Sequence, residues 1–204
     1  MKKLLGFLKE SILLRNPVLT LFAGVTPVLA TSFGIIEGAY MGAAAIVTLV
    51  LSCVVFRALG GKLPAKVRGI IHLLAVALIV SIIEILTAAI FPEIRKNLGI
   101  YLPLLAVSGI ILPYAERFSL SAKSFGESVL SGLSFGIGFF SVSVILSFVR
   151  EFFGTGRLCG FAIFPERYAV SLLTGPVGGF ILLGLLLAAF RKYSEKKTKE
   201  EESK

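Results

Sequence analysis

Apolar residues fall in six long stretches along the chain, at about 17–36, 39–58, 70–91, 100–114, 129–149 and 169–190, and most charges lie in the gaps. Residues 17–56 contain a single charge, Glu37. Runs of this length exceed what a globular core of this size can bury. They match instead the ~20 residues with which a helix crosses ~30 Å of hydrocarbon. The pattern predicts an all-α integral membrane protein with six transmembrane helices, a membrane domain over 17–190. Ahead of it, Leu4, Leu8 and Ile12 recur at four-residue intervals among Lys2, Lys3 and Lys9. Residues 1–16 therefore read as an amphipathic segment lying on the membrane surface. Residues 191–204 read as a charged tail, frayed or disordered.

Helix breakers concentrate in two of the six stretches. The first carries Gly24-Val25-Thr26-Pro27, and the fourth carries Ser108-Gly109 between Pro103 and Pro113. These are the opening stretches of two three-span halves. Three is odd, so such halves run in opposite directions through the membrane. The pattern thus predicts two inverted three-helix repeats with broken first and fourth helices meeting near the bilayer midplane. Backbone carbonyls freed at that depth must face protein, water or a cofactor rather than lipid. Two ordinary proline-kinked helices are the alternative.

Charge sets the orientation. The chain has 21 Lys and Arg against 12 Asp and Glu. With the N-terminus inside, 16 of the 21 positive residues fall in the tails and inner loops and 5 in the outer loops. This bias predicts both termini in the cytoplasm of a multi-pass protein of the cell (inner) membrane. A positive excess beside apolar runs also speaks against nucleic acid as a partner; the lipid bilayer is the expected one. Lys9 and Glu10 interrupt the apolar stretch that a signal peptide would need after Lys2 and Lys3.

Candidate chemistry is sparse. The two cysteines, Cys53 in an apolar run and Cys159 in a loop, make neither a disulfide framework nor a metal cage, and His72 is the single histidine. No metal site is expected on this chain alone, and no catalytic group. Glu84 is the deepest acid, inside the third stretch, with Ser81 and Thr87 three residues to either side on one helical face. A carboxylate in a membrane span is costly and points to a proton or cation path; a structural carboxyl bonded to a neighbouring helix is the equal alternative. Ser131, Ser134, Gly138 and Ser141, with Gly132 and Gly136, form a small-residue face suited to close helix packing. Gly175, Gly178 and Gly179 read the same way, and Gly154-Thr155-Gly156 reads as a loop.

Four motifs carry a resemblance: Asn16-Pro17-Val18, Gly24-Val25-Thr26-Pro27, Leu98-Gly99-Ile100-Tyr101-Leu102-Pro103-Leu104 and Arg150-Glu151-Phe152-Phe153-Gly154. Together they resemble the NqrDE/RnfAE membrane subunits of two ion-pumping complexes, the sodium-pumping NADH:quinone reductase and the Rnf ferredoxin:NAD oxidoreductase. The stretch Ile82-Ile83-Glu84 is most like the E type found in the Rnf complex. The resemblance implies inverted three-span halves and a homologous sister subunit of opposite topology. It also implies flavin- and iron–sulfur-binding partner subunits, and an iron–sulfur cluster shared with the sister between the broken half-helices. Electrons would cross there while Na⁺ or H⁺ is moved. At the family's two cysteine ligand positions this chain has Thr26 and Gly109. The expected function is that of a non-autonomous subunit of an electron-transport translocase. A stand-alone inverted-repeat transporter, or a structural paralogue that has lost electron transfer, is the alternative.

Overall fold

The computed structural model describes residues 18–19, 24–59, 64–109, 111, 124–159, 161–163, 165, 167 and 169–202. The amphipathic segment 1–16, the Asn16-Pro17 pair and most of 110–123 lie outside the described residues.

Four helices are long and apolar enough to cross a membrane: α2 (Ile35–Leu59), α3 (Ala65–Ile90), α6 (Phe125–Thr155) and the apolar part of α7 (Pro176–Glu202). They coincide with the second, third, fifth and sixth apolar stretches. The 25 residues of α2 reach about 37 Å at a rise of ~1.5 Å per residue, enough for the hydrocarbon layer. Among the described residues the first and fourth stretches appear as short pieces. One is α1 (Val25–Thr31); the other is α5 (Tyr101–Leu104), continued by a 3₁₀ turn at Leu105–Val107. The short α4 (Pro92–Leu98) joins α3 to α5. A two-residue hairpin, β1 (Arg157–Leu158) against β2 (Phe161–Ala162), follows α6. A 3₁₀ turn at Ser171–Leu173 precedes α7.

The centre of the molecule is the antiparallel pair α2 and α6, and small residues make it possible. A Cβ built on Gly136 would stand 2.8 Å from Cα of Ile46, one on Gly42 2.7 Å from the Phe140 ring, and one on Gly132 3.2 Å from Sγ of Cys53. Ser143 Oγ donates to the carbonyl of Gly38 at 2.8 Å, a bond that exists because the two backbones approach this closely. Between these rows Met41, Leu49, Phe56, Phe139 and Leu146 are fully buried. In lipid the apolar medium drives helices together weakly, so close van der Waals packing of this kind supplies the adhesion.

The outer helices are organised differently. In α3, His72, Val76, Val80 and Thr87 are buried at near-helical spacing, and the His72 ring stacks on Phe56 with centroids 3.8 Å apart. The remaining faces present Ile70, Leu74, Leu78, Ile82, Ile85 and Leu86 outward. Half of the most apolar window of α2 and of α6 is buried, against 22% for α3 and 17% for α7. An apolar outward face of this kind is what a bilayer solvates.

Two helix boundaries depart from expectation. The helix expected over 129–149 runs from Phe125 to Thr155; Ser124 caps it, accepting from the Glu127 N–H at 3.3 Å, and Gly156 ends it at φ 70°. Gly154-Thr155-Gly156, expected as a loop, therefore supplies the last turn of α6 and its left-handed stop. The sixth helix begins at Pro176 rather than near 169, because Ser171–Leu173 turns as 3₁₀ and the Leu173 carbonyl is held by Arg150.

Candidate functional site: a cavity between two helix-breaking motifs

The helix-breaking residues of the first and fourth stretches, far apart in sequence, line one cavity of about 340 Å³. Its walls are Gly24, Val25, Thr26 and Pro27 on one side and Leu104, Val107, Ser108 and Gly109 on the other. Gly24 precedes α1 in a left-handed conformation (φ 74°), which side chains other than glycine adopt at a cost. Ser108 ends the Leu105–Val107 turn in an extended conformation (ψ 142°). Both chain segments thus stop being helical at the cavity. Thr26 is exposed into this space, while Ser108 is buried and its Oγ has no hydrogen-bond partner. Gly99 lies away from the cavity, at the turn before α5 (φ 53°), where Arg95 donates to its carbonyl at 3.0 Å. Pro103 lies within α5.

A second cavity, of about 450 Å³, shares Val25 and Thr26 with the first and is lined further by Phe33, Tyr101, Thr174 and Phe180. Arg150 forms part of its wall. This residue is 4% exposed, and every N–H of its guanidinium has an acceptor. Nε donates to Leu173 O at 3.0 Å, and Nη1 to Leu29 O at 2.9 Å and to Ser32 Oγ at 2.6 Å. Nη2 donates to Thr174 O at 2.8 Å and Gly175 O at 3.2 Å. These carbonyls end two short helical pieces, α1 and the Ser171–Leu173 turn. The cation thus sits where helix C-termini concentrate partial negative charge. The neighbouring Glu151 accepts the Ile35 N–H at 2.6 Å and so caps the start of α2. In the sequence Arg150 and Glu151 stand out only as part of a motif at the end of an apolar run. Adjacent opposite charges there are the one signal of their role, and the same signal marks the start of a loop.

The Glu84 trio is divided. Steps of three residues rotate by about 300° on a helix, so Ser81 and Thr87 lie about 120° apart. Ser81 is exposed and Thr87 is buried. Thr87 Oγ1 bonds to Ile83 O at 2.6 Å and shares a 2.6 Å hydrogen bond with the Tyr40 hydroxyl of α2. Glu84 stands less than two turns from the end of α3 and is ion-paired with Arg95 of α4. The acid read as deep is thus joined to the connection that follows its helix. Beside it, Asn97 donates to Glu37 Oε1 at 2.8 Å, tying α4 to α2.

The donors around the first cavity do not fit an iron–sulfur cluster. Such clusters are held by thiolates, in some cases by imidazoles. The wall offers the hydroxyls of Thr26 and Ser108, and at Gly109 nothing, although a Cβ there would meet open space. Cys53 is buried beside Gly132 and Cys159 is exposed in the hairpin turn. Among the described residues no group of three His, Cys, Asp or Glu side chains could hold a metal ion.

Long apolar helices around a tight two-helix centre, with two short helices ending at a common cavity, define a multi-pass helical membrane protein. The family described as "Rnf-Nqr subunit, membrane protein" matches residues 4–190, and the chain belongs to this family. Among its relatives is the E subunit of the proton-translocating ferredoxin:NAD(+) oxidoreductase complex of Clostridium ljungdahlii, 33% identical over 96% of this chain and 92% of the relative. The E subunit of the Na(+)-translocating ferredoxin:NAD(+) oxidoreductase complex of Acetobacterium woodii is 35% identical over 88% and 92%. The E subunit of the ion-translocating oxidoreductase complex of Thioalkalivibrio sulfidiphilus is 33% identical over 85% and 82%.

Proposed function

We propose that this chain is the E-type membrane subunit of an Rnf-type ion-translocating oxidoreductase complex, which couples electron transfer between ferredoxin and NAD to movement of Na⁺ or H⁺. The observation that carries this reading is the meeting of Gly24–Pro27 with Leu104–Gly109 around one cavity, in a chain similar over nearly its whole length to the E subunits of such complexes. Two motifs that break their helices have reason to converge if the gap between them is used.

In this reading the short helices α1 and α5 are halves of the first and fourth spans, and the six spans form two inverted repeats with both termini in the cytoplasm. A homologous sister of opposite topology packs against the chain, and flavin- and iron–sulfur-binding subunits complete the complex. This chain supplies scaffold and one wall of the midplane crossing. Any cluster at that crossing takes its ligands from other subunits, since Thr26 and Gly109 offer no thiolate. Glu84, with Thr87 beside it, is the candidate for an ion path. The absence of thiols at positions 26 and 109 also favours a second reading, a structural paralogue that has kept the fold without the electron transfer.

Purification of the tagged chain from native membranes in mild detergent tests the proposal. Recovery of a homologous membrane subunit with flavin and ferredoxin-like subunits is the expected result. Recovery of the chain alone, or only as a homodimer, overturns it in favour of a stand-alone transporter.

A further inference from the structure

A group of large apolar side chains is exposed beyond the end of α6, where a loop outside the membrane would ordinarily be polar. Phe161, at the start of β2, is 79% exposed. Ile163, Val170, Leu172 and, in the last turn of α6, Phe153 are exposed beside it. Backbone hydrogen bonds hold these segments against the helix end: Ile163 N–H donates to Gly156 O and Val170 N–H to Phe153 O, both at 2.9 Å. The hairpin and the segment before α7 therefore fold back at the level where α6 stops, rather than extending into water.

We propose that this apolar group is a membrane-interface anchor, with Phe161 and Ile163 inserted into the boundary between lipid headgroups and acyl chains. Three observations select lipid over another protein as the occupant. The apolar surface runs without a polar rim into the outward faces of the spanning helices, through Leu172 to Val177, Phe180 and Ile181 of α7. A protein interface ordinarily has such a rim. The charges in this loop are Arg157, Glu166 and Arg167, a net positive set suited to lipid phosphates. The pairing of β1 with β2 and the two bonds to α6 satisfy backbone groups internally, which entry into a region poor in water requires. The proposal rests on membership of a membrane-protein family and is independent of electron transfer.

The chain contains no tryptophan, so Phe161→Trp creates a single fluorophore in the full-length protein. At a position this exposed, the larger ring fits without repacking. Reconstituted in bilayers whose lipids carry bromine near the top of the acyl chains, the variant should show blue-shifted emission and lose most of its intensity, with little quenching by iodide. Val47→Trp, on an exposed face midway along α2, serves as the deep reference, quenched best by bromine far down the chain. Iodide quenching of the Phe161→Trp protein without lipid quenching would place the hairpin in water and overturn the proposal. Quenching by neither agent would place it against another protein copy, and overturns it equally.

Discussion

Arg150 shows what one residue can carry in this molecule. Its five N–H groups meet five acceptors from two distant parts of the chain, with no carboxylate among them. Truncation would leave four carbonyls and the Ser32 hydroxyl without their donor. Breaking a buried charged network of this kind typically costs ~3–5 kcal/mol. Arg150→Ala should therefore lower the thermal or SDS unfolding midpoint sharply in detergent. Arg150→Lys should recover only part of the loss, since an ammonium has three donors and no planar fork. Equal stability of wild type and both variants would contradict the clamp. Glu84 is the opposite case. Its pair with Arg95 is partly exposed, and pairs of that kind contribute ~0–1 kcal/mol, so Glu84→Gln should fold and assemble normally. Ion transport by that variant in proteoliposomes should fall. Unchanged transport would leave Glu84 with a purely structural role.

At the scale of elements, the four long helices were legible because each is a continuous apolar run, and length alone separates such runs from loops. Their ends were less legible. The stop at Gly156 depends on a left-handed turn, and the late start at Pro176 depends on Arg150 holding carbonyls more than twenty residues further along the chain. Neither is a local property of the residues concerned. Breakers at Gly24 and Ser108-Gly109 marked both walls of the cavity in advance, whereas the pairing of Glu84 with Arg95 required knowing how α4 folds back. The packing of α2 on α6 yields its own test. Gly136→Ala pushes a methyl against the Ile46 backbone, where nothing flexible can yield, and should loosen the helix pair. In α7, a Cβ at Gly184 meets no atom within 4 Å, so Gly184→Ala should be neutral or stabilising by up to ~1 kcal/mol through helix propensity. Comparison of the two unfolding midpoints in one detergent checks both; equal shifts would sink the packing argument.

For the whole molecule, the excess of positive charge in the tails and inner loops supports the proposed orientation, with both ends in the cytoplasm. A membrane-impermeant label directed to the 191–204 tail in intact cells should leave it unmodified until the membrane is permeabilised; labelling of intact cells would reverse that orientation. The Arg150 network also bears on how the protein is made. Its acceptors come from residues 29 and 32, already synthesised when Arg150 emerges from the ribosome, and from residues 173–175, which are not. Until the final segment follows, the guanidinium has only part of its shell. A nascent chain cut short before residue 173 keeps that deficit permanently, and it is a cation displayed within an otherwise apolar insertion intermediate. Completion of the last long helix is thus built into the energetics of the one before it, and a membrane quality-control protease could tell a finished chain from a prematurely terminated one by the exposure of this single side chain.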